Sequence, residues 1–438
     1  MIVPLGPGRE TAAGIRVLKF GGTSVGTTPA RLREVAMRIA DAHHAGYPVV
    51  VVVSARGATT DDLVTDANSV AKAPAAREMD QLLATGEIAA AALLAITLND
   101  ARTPAVSLTG AQAGIAAYGH HGDGRIADID GTRLREVLDS GMVAVVAGFQ
   151  GVDAVGDVLT LGRGGSDTTA VALAASLGAT TCEIYTDVDG VYSADPRIAV
   201  DAQVLTTIGS GVMSEMAYAG ARVLHARSVD LAGRSGVSIH VRSAFTNKPG
   251  TTVVSDQTGH EMLENSQPVT GIAHDTDVAR VVVHPGGPAG RGAEVFAALA
   301  EAAVAIDLVA RVGDQDLGYG WDFTIARSQA ETVSRVLNRF GCEADIHESM
   351  AKVSLVGTGL LSHPGTTGRM LATLATAGIE TYSVATSQVR ASVTMSRADC
   401  VRAVDLLHRE FGLDRPAVTG DNVIPLSRDR DRGLGQAA

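Results

Sequence analysis

From Ile15 onward, short β-branched runs alternate with segments of helical length. IRVLKF reads as a strand that ends in GGTSVG. Ala30 to Ala45 places Leu32, Val35, Ala36 and Ile39 on one face and its arginines and glutamate elsewhere, which predicts an amphipathic helix. YPVVVVVSA is apolar on both faces, the pattern of a buried parallel strand. Met79 to Leu98 predicts a long helix rich in Ala and Leu. Further strands are predicted at TPAVSLTG, MVAVVAGFQG, VLTL and TCEIYT, with a helix from Thr168 to Leu177 before the last. Repetition of strand, helix and strand at this spacing predicts an α/β domain with a mainly parallel open sheet covered by helices. Ligands in such sheets bind at the carboxyl ends of strands, which is where the glycine clusters of this chain fall.

A different pattern begins near Val269. DVARVVVH, GRGAEVFAALAEAAVAI, IDLVAR, WDFTIA and ETVSRVLNRFG read as strand, helix, strand, strand, helix. The same order returns in MAKVSLVGTGL, TTGRMLATLATAGI, TYSVATS, VRASVTM and CVRAVDLLHREFG. Two successive βαββα units of roughly 70–80 residues are an internal repeat. Each buries little surface alone, so the pair is expected to pack side by side. The expected organisation is a tail over 1–15, an α/β domain over 16–254 and a polar, turn-rich linker over 255–268. Two α+β units over 269–345 and 346–425 and a tail over 426–438 complete it.

Composition narrows the function. The chain of 438 residues is 46% apolar and 19% charged, enough for large cores. Aromatics are scarce at 3%, and 36 Lys+Arg against 48 Asp+Glu leave −12. That balance gives no footprint for nucleic acid or an anionic membrane surface. Cys182, Cys342 and Cys400 are far apart and fit neither a disulfide framework nor a zinc site. No apolar stretch reaches the ~18 residues of a membrane span, and the first fifteen residues do not read as a signal peptide. The expectation is a cytoplasmic protein.

Four clusters carry candidate chemistry. KFGGTS, Lys19 to Ser24, follows a buried strand; adjacent glycines let backbone amides approach an anion, and Lys19 adds charge. In LGRGGSDTTA, Leu161 to Ala170, Asp167 has an ordinary reading as a helix N-cap. Arg163 on its glycine loop offers a fork for carboxylate or phosphate. YTDVDGVYSADPR, Tyr185 to Arg197, lacks the Gly and Glu of a calcium loop and stands between a solvated turn and a loop around a nucleotide. In REMDQLLATGE, Arg77 to Glu87, the last residue closes a Thr-Gly-Glu turn and reads by default as a surface acid. No Walker loop, complete GxGxxG or HExxH is present. His43–His44 and His120–His121 read as surface pairs, and His225 as a half-buried polar contact.

Taken in order, KFGGTS, AREMDQLLATGE, TGAQAG (Thr109 to Gly114), GFQG (Gly148 to Gly151), LGRGGSDTTAVALA and YTDVDGVYSADPR resemble the motifs of the aspartokinases of the amino-acid-kinase superfamily. The resemblance covers nearly the whole chain. It implies a three-layer αβα kinase domain with a mainly parallel open sheet, followed by two ferredoxin-like α+β ACT domains. The implied reaction takes ATP, Mg2+ and L-aspartate to ADP and 4-phospho-L-aspartate. The acceptor carboxylate has a reference pKa of about 3.9 and needs no general base. By this resemblance Lys19 contacts the transferred phosphoryl oxygens, helped by Gly21, Gly22 and Ser24, and Asp167 orients Lys19. Arg163 takes a substrate carboxylate, Glu87 the ammonium, and Ser54, Thr60 and Ser166 line the pocket. Thr186, Asp187, Asp189, Tyr192, Asp195, Arg197 and Arg222 form the nucleotide side. A homodimer through the ACT units and an amino-acid effector are also implied.

Some positions depart from the family pattern. Ile88 follows Gly86–Glu87 where the family has arginine, Arg222 replaces a lysine, and Gly209, Ser210, Gly211 and Val212 replace acidic and aromatic positions. In the ACT units HPGGPAGRGA, His284 to Ala293, replaces an Asp-x-Pro-Gly turn. Ala305 to Arg311 replaces an Asn-Ile-Asp stretch, and Gly378 and Glu380 replace paired asparagines. Those asparagines would hold a lysine or threonine effector, so feedback inhibition is expected to be weak or absent, as suits a copy serving a specialised pathway. Two other readings remain: a related kinase with another carboxylate or carbamate acceptor, and a non-catalytic ACT sensor. Met262 is a candidate internal start.

Overall fold

The computed structural model describes residues 14–255, 268–285, 292–314 and 318–415. Most of the expected N-terminal tail, the linker around Met262, the middle of the HPGGPAGRGA loop and everything from 416 onward lie outside the described residues.

The chain opens with β1 (Arg16–Phe20), α1 (Gly22–Val25), α2 (Pro29–His44), β2 (Val49–Val53), α3 (Thr59–Val70) and α4 (Ala76–Asp100). Next come β3 (Ala105–Leu108), β4 (Ile115–His120), β5 (Asp123–Ile129), α5 (Thr132–Asp139), β6 (Val143–Ala147), β7 (Gln150–Val152) and β8 (Val158–Thr160). Then follow α6 (Gly165–Leu177), β9 (Thr181–Thr186), β10 (Thr207–Gly209), α7 (Ser210–Tyr218), α8 (Ala226–Ser235), β11 (Ser238–Ser243) and β12 (Thr251–Val254).

Eight of these strands form one sheet in the order β10-β12-β11-β9-β1-β2-β6-β3, parallel except where β11 meets β12. Alternation along β1 and β2 splits the core. Val17, Val50 and Val52 pack with α5, α6, α7 and α8, while Leu18, Phe20, Val49, Val51 and Val53 pack with α2 and α4. This is the expected three-layer αβα arrangement. Thr28 caps α2, accepting from Arg31 N at 3.3 Å ahead of Pro29 at the first turn. By length and composition α4 is long and apolar enough to cross a bilayer. Its Ala90, Ala91, Leu94, Ala95 and Leu98 are instead buried against the sheet.

Two readings of the sequence need correction. The predicted strand MVAVVAGFQG is two strands in two sheets. The chain leaves the main sheet at Gly148 and turns at Phe149, whose φ of 69° breaks the extended run. The second piece, β7, joins a four-stranded sheet β5-β4-β7-β8 that was not predicted, because Tyr118 to Gly124 reads as polar loop. The Thr-Gly-Glu turn is no turn: Thr85, Gly86 and Glu87 lie in mid-α4. A Cβ on Gly86 would meet the Ala55 Cβ at 2.9 Å, so the glycine lets α4 approach the end of β2.

The repeat folds as β13 (Val269–Val283), α9 (Gly292–Glu301), β14 (Asp307–Asp314), β15 (Gly318–Ala326) and α10 (Ala330–Arg339). The second copy is β16 (Ala344–Gly357), α11 (Gly365–Thr376), β17 (Thr381–Thr386), β18 (Arg390–Ser396) and α12 (Cys400–Glu410). The units share one sheet, β14-β15-β13-β16-β18-β17, joined where β13 and β16 pair antiparallel through its middle. Each first strand thereby covers the open edge of the other unit. The second unit also reaches back into the α/β part, where Ala194 and Ala199 are buried in the same core as Met370, Leu374 and Leu407.

Candidate active site

β1 stands where the strand order reverses, with β2 on one side and β9 on the other. A crevice opens at the carboxyl ends of strands at such a point. Lys19 is the penultimate residue of β1, and its Nζ lies 2.5 Å from Asp167 Oδ1 on α6, an ionic contact off the hydrogen-bonding angle. The N-cap reading of Asp167 fails, because the cap is Gly164, in the left-handed conformation with no side-chain bond. Asp167 sits in the first turn instead and is free to face Lys19.

After β1 the backbone turns sharply. Gly21 N donates to Tyr185 O at 3.4 Å, and Gly57 N to Gly22 O at 3.1 Å. A Cβ on Gly22 would come within 2.6 Å of Ala55 O, so the turn is held by close backbone approach. Ser24 is fully buried and its Oγ donates to Tyr185 O at 3.1 Å, so its hydroxyl is spent tying the turn to β9. Ser54, just after β2, and Thr60, in the first turn of α3, are half-buried. Ser166 is buried against Gly148, where a Cβ would meet it at 2.9 Å.

Glu87 departs most from its default reading. It is 3% exposed on α4. Its Oε1 accepts from Ala55 N at 3.0 Å, while Oε2 is buried with no partner. Burial pushes the Glu87 carboxyl up from 4.5 to about 7. Arg163 has the opposite character: exposed, and with no hydrogen-bond or ion-pair partner among the described residues. It borders a cavity of about 370 Å³ shared with Arg125, Tyr218, His225 and Arg227. Its loop is rigidly set. Gly164 has a φ of 71°, and a Cβ there would lie 2.2 Å from the His225 Cβ. Desolvation lowers the His225 pKa, and its Nδ1 is buried without a partner.

Apart from Arg222, which lies between α7 and α8, the expected nucleotide residues lie at the end of β9 and on the segment after it, and several are already engaged. Thr186 donates to Asp187 at 3.0 Å, and Asp187 is otherwise exposed. Asp189 accepts from Lys248 at 2.8 Å and Thr246 at 2.9 Å, which holds its carboxyl below the usual range. Tyr192 is half-buried beside it. Asp195 is bound by the Arg197 backbone and guanidinium, at 2.9, 3.0 and 2.7 Å. Arg222 is mostly exposed, 4.0 Å from Asp275 on β13. Gly209 ends β10 and precedes Ser210 and Val212 in α7; Ile88 lies partly exposed on α4, off the Glu87 face.

Sequence reasoning missed Asp80, a carboxylate 1% exposed on the same helix as Glu87. A signal was present. Asp80, Ala84, Glu87, Ala91, Leu94 and Leu98 recur at alternating steps of four and three, all buried. Two acids therefore sit on an otherwise apolar stripe.

An open αβα sheet with a lysine–aspartate pair at its switch point and glycine turns at its strand ends fits a small-molecule kinase of the amino acid kinase class. The sequence pattern of the Amino acid kinase family matches residues 14–243, and that of the ACT domain matches 353–411. An aspartokinase of Mycolicibacterium smegmatis is 45% identical over 411 residues, 91% of this chain and 96% of that protein. One of Thermus thermophilus is 43% identical over 407 residues, covering 91% and 99%. Among solved structures, an aspartate kinase from Synechocystis is 38% identical with a TM-score of 0.51, covering 91% of this chain and 70% of that one. Aspartokinase III of E. coli, in complex with aspartate and ADP, superposes with a TM-score of 0.76 over 90% and 99% of the chains. At 23% identity that likeness concerns the fold. The chain belongs to the aspartokinase family.

Proposed function

We propose that this pocket transfers the γ-phosphoryl group of magnesium-bound ATP to the side-chain carboxylate of L-aspartate, giving ADP and 4-phospho-L-aspartate. The observation that carries the substrate reading is Glu87 Oε2, a buried acceptor with no donor. Such groups are rare unless a ligand completes them. An ammonium group arriving at Oε2 supplies the missing donor and favours the ionised carboxylate. The unpaired Arg163 then receives the α-carboxylate through its planar fork. One anion and one cation together suit a zwitterionic amino acid. The family membership supports the same substrate.

The acceptor carboxylate is already ionised at neutral pH, so no base is required. What the site supplies is placement and charge. Lys19 neutralises charge on the transferred phosphoryl oxygens. Asp167 holds the lysine at the mouth of β1, and the backbone at Gly21 and Gly22 approaches the phosphates closely. Thr186, Asp187, Asp189, Tyr192, Asp195, Arg197 and Arg222 frame the nucleotide. Among the described residues no three His, Cys, Asp or Glu side chains are grouped to hold a metal. Magnesium would arrive with the nucleotide and offset phosphate charge, and the exposed carboxylate of Asp187 is the group that would hold it at that edge.

The ACT pair supports two finer readings: a homodimer through these units, and an effector response weakened by the changes at Ala305 to Arg311, Gly378 and Glu380. The decisive test traps acyl phosphate as hydroxamate with ATP, magnesium and L-aspartate. Wild-type product that vanishes in Lys19→Ala supports the transfer; folded wild-type protein that binds ATP and yields none overturns it. Strong inhibition of the same assay by lysine and threonine at low millimolar levels overturns the regulatory reading.

A further inference from the structure

We propose that Asp80 is a positioning residue that fixes Arg163 relative to Glu87, and so sets the clamp on the amino-acid head of the substrate. The inference rests on the aspartate-kinase reading above.

Asp80 is buried on α4, yet its carboxylate is fully used. Thr160 donates through Oγ1 at 2.5 Å and through its backbone N at 3.1 Å. Gly122 N reaches both oxygens, at 3.0 and 3.1 Å, and His121 Nδ1 lies 2.9 Å from Oδ2. Donors thus converge from two segments: the end of β8 and the turn between β4 and β5. A buried carboxylate supplied this fully is a rigid joint.

Its place in the chain gives the joint a function. Asp80 precedes Glu87 by seven residues, two helical turns on one face of α4, about 10 Å along the axis. Thr160 precedes Arg163 by three residues. The intervening loop is short, and its positive-φ glycines Gly162 and Gly164 are held by Gly165 N donating to Gly162 O at 3.0 Å and by close packing on His225, so it moves as one piece with its base. Its geometry is set by what holds its base. Arg227 holds it from α8, donating to Leu161 O and Gly124 O, both at 2.7 Å. Asp80 holds it from α4, the helix that carries Glu87. The exposed Arg77–Asp157 pair repeats this link at the surface, where it contributes little.

Discrimination of L- from D-aspartate needs three fixed points: Glu87 for the ammonium, Arg163 for the α-carboxylate and Lys19 for the reacting end. Release of the Asp80 joint frees one of them. Asp80→Asn keeps the shape but turns an amide NH2 toward N–H donors, and Thr160→Val removes one donor while keeping the backbone N–H. We expect folded Asp80→Asn to raise KM for L-aspartate about ten- to a hundredfold, to leave KM for ATP within about twofold, and to lower the L-to-D preference. Thr160→Val shifts the same quantities less, and decides the matter if Asp80→Asn does not fold. Equal changes in both KM values, or an unchanged KM ratio and L-to-D preference in a folded variant, overturn the proposal. Wild-type protein that makes no aspartyl hydroxamate sinks the functional reading instead.

Discussion

Replacing Glu87 with glutamine removes a negative charge from a site where burial opposes it. Rise of the Glu87 carboxyl from 4.5 to about 7 corresponds to about 3 kcal/mol against the ionised form. The folded state therefore binds more protons than the unfolded state between these values, and stability falls as pH rises through that window. Glutamine does not titrate. Its amide at the Oε2 position lacks an acceptor, a constant cost of roughly 1–3 kcal/mol. The pH-dependent part is separable from that constant. Relative to Glu87→Gln, wild type should lose about 3 kcal/mol between about pH 4.5 and pH 8. For a domain of this size the melting-temperature gap moves by roughly 5–10 °C. Aspartate reverses the order: an ammonium at Oε2 pairs with the carboxylate and has no charge to meet in the amide. Loss of a buried pair costs about 3–5 kcal/mol, which raises KM for aspartate in Glu87→Gln by roughly a hundredfold or more. Wild-type kcat/KM for aspartate should fall below about pH 7 as Glu87 protonates. Differential scanning fluorimetry across pH, with and without aspartate, reads the stability terms directly. A gap that stays constant with pH, or a variant stabilised by aspartate as well as wild type, refutes the argument.

Lys19→Ala should abolish hydroxamate formation and destabilise the fold by leaving Asp167 unpaired; Lys19→Ala/Asp167→Asn should recover melting temperature without activity. Gly164→Ala forces a side chain into the left-handed region and onto His225, so aspartate turnover should be lost while ATP binding, read by calorimetry, persists. Arg163→Lys keeps the charge but not the fork, and should raise KM for aspartate about tenfold with KM for ATP unchanged. His408→Asn should raise KM for ATP more than KM for aspartate, because His408 Nε2 lies 2.9 Å from Ser193 Oγ on the nucleotide segment; equal shifts would count against that link.

The sheet was legible because its central strands are apolar on both faces, and the ACT repeat because the same order of elements occurs twice. The second sheet was not, since its apolar face is confined to a few residues, Ile115, Ala117, Ile126 and Leu159, and the turn between β4 and β5 is polar and glycine-rich. Lys19, Asp167 and Arg163 could be nominated from glycine turns at strand ends. Glu87 could be nominated only through the family resemblance, because its meaning lies in burial, and burial is set by α4 approaching β2 at Gly86. Asp80 shows in the sequence only as an acid on the apolar stripe of α4; what it does there does not, because its partners Gly122 and Thr160 lie some forty and eighty residues away, and local pattern carries no trace of them.

The chain is also less divisible than its sequence pattern. The segment 190–203, which carries Tyr192, Asp195 and Arg197 of the expected nucleotide residues, is packed against both ACT units. Ser193 O accepts from Ile272 N of β13 in the first unit at 2.7 Å, and Ala194 and Ala199 are buried with Met370, Leu374 and Leu407 of the second unit's helices. Buried His408 on α12 meets Ser193 Oγ, close in sequence to Tyr192 and Asp195, two of the proposed nucleotide residues. Close-packed interiors do not yield by small continuous amounts. A displacement of α12 must therefore be taken up by the segment from Tyr192 to Arg197 or by the core that grips it. The proposed nucleotide edge thus rests on an ACT helix, whereas the proposed aspartate edge, held by Asp80 and Arg227, is built within the α/β part. Any influence of the ACT pair on catalysis through these contacts should register first in KM for ATP.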